Sequence, residues 1–118
     1  MKKVSTTLLA FGVYLVGMGL GLLTMPNVVL GTLGLPSTDE VWIRVVGVLA
    51  LVLAYYYISA ARADLKTFAQ WTVPARIGVF VAFTAFVLLN FASPLMIMLG
   101  AVDLLGALWT GWALKSEK

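Results

Sequence analysis

Apolar residues along this chain of 118 residues fall into four long blocks, and within each block they run round all sides rather than repeating on one face. A helix with one apolar stripe packs on a water-facing core, whereas a helix apolar all round needs an apolar surround. The first block predicts a helix over 5–25, ended by Pro26, which cannot extend a helix without losing a backbone hydrogen bond. Residues 27–36 are apolar but too short to span a bilayer at about 1.5 Å per residue, and are expected to lie along the outer interface. Pro36-Ser37-Thr38-Asp39-Glu40 reads as a turn and helix start, with Ser37 or Thr38 as N-cap and the acids in the first turn, where the helix dipole favours them.

A second helix follows over 39–62, and the polar stretch 63–71, with Asp64, Lys66 and Gln70, is expected as a loop. The third helix is expected over 73–91, with Pro74 tolerated in its first turn. Ser93-Pro94 makes a turn without charge, and the fourth helix covers 95–114 before the tail Lys115-Ser116-Glu117-Lys118. The pattern thus predicts an all-α fold: an integral membrane four-helix bundle in a single transmembrane domain over 1–118.

Composition agrees. Hydrophobic residues make up 62% of the chain and charged residues 11%, with mean hydropathy +1.03, against about 45–50% and about 25% in an ordinary soluble domain. Lys2-Lys3 before the apolar stretch from Leu8 to Leu23 resembles a secretory leader, but no small-x-small cleavage site follows, so a retained first helix is expected, with a cleaved leader as the alternative.

Net charge is +3, and its placement speaks to topology. Lys2, Lys3, Arg62, Lys66, Arg76, Lys115 and Lys118 fall on one side of the four-span pattern and only Arg44 near the other, which puts both termini in the cytoplasm. Trp71, Trp109, Trp112 and the run Tyr55-Tyr56-Tyr57 mark the cytoplasmic interface, and Trp42 the outer one. The cations are not interleaved with aromatics in a stripe, so no nucleic acid is expected as a partner. Membrane lipids are, in the inner (plasma) membrane.

The chemistry available is narrow. The chain has no Cys and no His, which excludes disulfides, thiol redox chemistry and Cys or His metal sites. It also lacks a phosphate-binding glycine loop, HExxH and GxSxG, so no catalytic residue, metal or cofactor is assigned.

Asp103 is the most informative residue, because it sits near the bilayer midplane, where an unpaired carboxylate is costly. Gly100, Gly106, Ala107, Thr110 and Gly111 around it form a small-residue face that admits another helix and turns Asp103 inward. Arg44, one turn into the second helix with Gly47 beside it, is the expected partner, and Asn90 and Tyr14 are expected to complete the cluster. Two readings stand side by side: a cleft floor that binds a ligand head or passes a proton, and a buried ion pair that fixes helix register. Gly17 and Gly21 form a GxxxG pair, which serves packing within the chain or a homodimer face. Arg62, Lys66 and Arg76 are expected on a basic surface that attracts anionic lipid.

Arg44-x-x-Gly47 in the second helix and Asp103-x-x-Gly106-Ala107-x-Trp109 in the fourth resemble the small bacterial four-helix membrane proteins grouped as DoxX-like. That resemblance implies a four-helix membrane fold and, through some members, a link to quinone or redox chemistry. Small multidrug resistance transporters are similar in size, but they carry an essential acid in the first helix, where this chain has Tyr14. The expectation is a non-enzymatic polytopic protein that binds an apolar or amphipathic small molecule or lipid, or serves a membrane complex. The alternatives are a small proton-coupled transporter using Asp103 and a quinone-linked redox subunit.

Overall fold

The computed structural model describes residues 2–116; Glu117 and Lys118, the last of the cations counted above, lie outside the described residues. Among the described residues there are five helices and no strand. They are α1 (Lys3–Thr24), α2 (Pro26–Thr32), α3 (Trp42–Arg62), α4 (Lys66–Leu88) and α5 (Met96–Ser116). All but α2 are long and apolar enough to cross a membrane, and only 11% to 33% of the most apolar stretch of each is buried. Most of their apolar side chains therefore point outward, an arrangement stable only where the surround is itself apolar.

Helix α1 is the hub. It packs along most of its length on α3 and meets α2, α4 and α5 as well, while α4 packs chiefly on α5. Its buried residues, among them Val4, Leu8, Phe11, Gly12, Gly19 and Leu22, recur at helical spacing down one face. A Cβ on Gly19 would lie 2.9 Å from the Gly47 carbonyl oxygen, and one on Gly47 would lie 2.8 Å from the Leu23 amide nitrogen, so α1 and α3 touch backbone to backbone here. The close approach thus runs through Gly19 and Gly47, not through the expected pair Gly17 and Gly21. Gly17 faces open space and Gly21 faces Val29 of α2. Gly100 seats Phe80 and Phe83 of α4, and Gly111 faces Val73.

Three of the four turns are made the same way. Gly34, Asp64 and Asn90 have φ of 71°, 52° and 64°, and each is followed by an amide that reaches back five residues: Leu35 to Leu30, Leu65 to Ala60 and Phe91 to Phe86. This is the left-handed helix cap that glycine and asparagine favour. Asn90 is thereby exposed at the end of α4 and takes no part in a buried cluster, contrary to expectation.

The helix boundaries differ from expectation chiefly at α4. The stretch 66–71 is helical, because Phe68 packs edge-on against Tyr57 with centroids 5.3 Å apart and Ala69 is fully buried in the core. The loop shrinks to 63–65, and Pro74 lies well inside the helix rather than in its first turn. At the other junction no side chain caps α3, which begins at Trp42; Thr38 instead accepts from the Glu40 amide and its own amide donates to Asn27 Oδ1. Neighbouring long helices are antiparallel, so Lys2, Lys3, Arg62, Lys66 and Lys115 gather at one end of the bundle and Asp39, Glu40 and Arg44 at the other.

Candidate functional site

The extension of α4 decides where its arginine lies. With the helix starting at Lys66, Arg76 is the eleventh of 23 residues and sits at mid-length, not in the first turn at the surface. It is 2% exposed, so it is no part of a lipid-facing basic patch; Arg62 and Lys66 remain exposed at the α3–α4 turn.

A charge buried this deep must be met by polar groups. Arg76 Nε donates to the Thr72 carbonyl (3.3 Å), and Nη2 donates to Thr72 Oγ1 (3.0 Å) and Thr110 Oγ1 (2.7 Å). Thr72 and Thr7 spend their own protons on the carbonyls of Ala69 and Val4. Thr110, 2.8 Å from Thr7 Oγ1, must then be the donor in that pair. The result is a directed chain from Arg76 through Thr110 and Thr7 to a main-chain carbonyl. The rings of Phe11 and Tyr57 cover the guanidinium at 4.8 and 5.6 Å, a cation–π arrangement. Nη1 is buried without a hydrogen-bond partner. Gly106 makes room for it, since a Cβ there would lie 2.9 Å from Nη1 and 3.3 Å from the Phe11 ring.

Asp103 and Tyr14 stand on the side of this arginine away from the basic end of the bundle. The Asp103 carboxylate interacts through space with Arg76, Tyr14 and Tyr57, so each long helix supplies one member of a polar cluster. Among the described residues Asp103 has neither a direct ion pair nor a hydrogen-bond donor. Its expected partner, Arg44, is exposed at the far end of α3 and donates Nη1 to the Leu23 carbonyl, satisfying an acceptor in the last turn of α1. Arg76 is the cation that faces Asp103, and Arg44 is not.

Beyond Asp103 lies a groove. Because α3 leans on α1 and scarcely touches α4 or α5, a space of about 260 Å³ is left in the half of the bundle away from the basic end. Its walls are Leu15, Met18 and Leu22 of α1, Val46, Leu49, Ala50 and Leu53 of α3, Val79 and Phe83 of α4, and Leu99 of α5. Tyr14 and Asp103 are its polar lining residues, at its inner end. A smaller space of about 190 Å³ between α1 and α5 is lined by Thr7, Phe11, Tyr14, Gly106 and Trp109.

Of the expected site, Asp103 and Tyr14 come together, Gly106 and Ala107 pack behind them, and Arg44 and Asn90 fall elsewhere. Arg76, Thr7, Thr72 and Tyr57 are the members that sequence reasoning missed. For Tyr57 the signal was the spacing Ala54, Tyr57, Ala61, which places it on the small-residue face of α3 while Tyr55 and Tyr56 point out. No protein-family model, no curated protein and no solved structure matches this chain.

Proposed function

We propose that this chain is a multi-pass protein of the bacterial inner membrane, with both termini cytoplasmic, whose groove binds an apolar or amphipathic small molecule. The observation that carries the reading is the groove itself: apolar walls from four helices, closed at the inner end by one carboxylate and one tyrosine hydroxyl. Ligand sites are mostly apolar concavities of about 300–1,000 Å³ with a few fixed polar groups, and this one, at about 260 Å³, lies just below that range and suits a small ligand. The orientation rests on the five cations at one end of the bundle and on exposed Trp71, Trp109 and Trp112 towards that end, with Trp42 at the other. Kinship with the DoxX-like proteins is part of the proposal, carried by Asp103 and Gly106 of the positions that suggested it.

The test is native mass spectrometry of the protein released from mild detergent. The wild type retains an apolar small molecule, and Ala50→Phe, which fills the groove, abolishes retention. Equal retention by the two proteins would place the ligand elsewhere.

A second reading, proton-coupled transport, is favoured by one observation: Asp103 meets the groove on one side and faces Arg76 with its threonine chain on the other. It requires a pH-driven flux in proteoliposomes that Asp103→Asn abolishes.

A further inference from the structure

Helices α1 and α5 pack far less closely than α1 and α3, and the gap between them is lined unlike the groove. At the basic end a space of about 290 Å³ is bounded by Lys3 and Thr6 of α1 and by Trp109 and Trp112 of α5. The space of about 190 Å³ described above follows it between the same two helices, past Ala10 and Gly106 to Val102 and Tyr14, with Trp109 in the wall of both. Together they make one crevice. Ala10, Val102 and Trp109 are exposed, so it is open to the surround along its side as well as at its mouth.

The two ends of the crevice call for different chemistry. The Lys3 ammonium is held over the Trp112 ring, 5.5 Å from its centre, and has no acidic partner among the described residues. Thr6 spends its hydroxyl proton on the Lys2 carbonyl, whereas the indole N–H groups of Trp109 and Trp112 have no acceptor among the described residues. The mouth therefore offers one cation and two neutral donors, with no carboxylate in its lining. Farther in, no lining residue is basic or acidic, and the Thr7 hydroxyl is already committed to Val4 and Thr110. Tyr14 lies eleven residues beyond Lys3 on the same helix, about 16 Å at about 1.5 Å per residue. That is about half of a hydrocarbon core about 30 Å thick, the depth of one leaflet.

We infer that the crevice between α1 and α5 binds an anionic phospholipid, its phosphate at Lys3 and the two indoles and one acyl chain laid inward along Ala10, Gly106 and Val102. The second chain stays in the bilayer, as the open side of the crevice allows. Tryptophan rings sit by preference at headgroup level, and a lysine near the surface attracts an anionic headgroup. The donors at the mouth are spread over a turn of each helix, a span that a phosphate with its glycerol esters covers and a lone carboxylate does not. The inference rests on the membrane placement proposed above and is independent of the groove.

The experiment titrates the full chain in mild detergent with phosphatidylglycerol or phosphatidylcholine of the same acyl chains and counts bound lipid by native mass spectrometry. The first phosphatidylglycerol is expected to bind about fivefold more tightly than phosphatidylcholine, the difference one lysine makes against an anionic headgroup. Lys3→Gln should bring the two lipids level, whereas Lys66→Gln, at the same end but on the α3–α4 turn, should leave the preference unchanged. Ala10→Trp, at an exposed position, should weaken both lipids by filling the crevice, and Ala50→Phe, which fills the groove, should weaken neither. A preference lowered equally by the two lysine variants would make the attraction a diffuse property of the basic end and overturn the site. Displacement of phosphatidylglycerol by an equal concentration of tetradecanoate would overturn the phospholipid assignment in favour of a free fatty acid. Failure of either lipid to bind would overturn the inference and leave the groove reading intact, whereas a protein that stayed dissolved without detergent would overturn the membrane placement itself. Lys3 is exposed, so the comparison of the two lysine variants decides the matter even if Ala10→Trp does not fold.

Discussion

A guanidinium at the middle of an apolar helix persists only if its donors are answered, and Thr110 answers for Arg76 from the neighbouring helix. Thr110→Val keeps the shape and removes the hydroxyl that joins Arg76 to Thr7. We expect a loss of about 1–3 kcal/mol, the cost of a buried donor left unmet, read from thermal unfolding in detergent. Thr84→Val is the control: the Thr84 hydroxyl is buried without a partner, so its removal should cost no stability. At the basic end, Ser5 donates a hydrogen bond to Asp64 and holds its carboxyl below the usual carboxylate range, helped by Lys2. A group whose folded pKa is depressed adds stability above its unfolded value, near 3.9, and loses it as pH falls through the folded value. The wild type should therefore outlast Ser5→Ala in melting experiments at pH 7, and the gap should close as acidification protonates Asp64 in the folded protein. A gap that widened on acidification would mean the hydrogen bond favours the protonated acid.

At the scale of elements, one misplaced helix start misplaced the key residue. The four long helices are legible from hydropathy alone, and Asp103 is legible as an inward acid because small residues surround it. Lys66, Thr67 and Gln70 read as loop residues by polarity, yet the end of a membrane helix lies where polar side chains are tolerated. Pro74 suggested a first turn, but a spanning helix absorbs an interior proline because neighbours can satisfy the freed carbonyl. These two misreadings moved Arg76 two turns outward and left Asp103 to be matched with Arg44. Asn90 misled for a different reason: its polar side chain suggested a hydrogen-bonding role, whereas the chain uses its tolerance of positive φ. The glycines make a sharper test of the α1–α3 contact. Gly47→Ala puts a methyl against backbone atoms at 2.8 and 2.9 Å, so we expect a loss of about 1–3 kcal/mol. Gly17→Ala meets nothing and should match or exceed the wild type. Should Gly17→Ala be the damaging change, a second copy must be covering that face, and cross-linking would show a dimer.

For the whole molecule, the absence of cysteine allows sidedness to be read cleanly from single introduced thiols. Lys66→Cys at the α3–α4 turn should react with an impermeant maleimide only after the cells are opened, and Ser37→Cys between α2 and α3 should react in intact cells. The reverse pattern would invert the topology and put the groove in the cytoplasmic half of the bilayer.

The order of synthesis gives Arg76 a further significance. The hydroxyl that meets it from another helix lies 34 residues downstream, on α5, which leaves the ribosome after α4. When α4 has emerged and α5 has not, Thr72 is the one hydrogen-bond partner its arginine has, and an arginine at mid-membrane disfavours insertion by roughly 2.5–3.5 kcal/mol. If the helices span a membrane, α4 and α5 are expected to enter it as a pair, so a nascent chain halted before Thr110 should leave α4 waiting at the translocon.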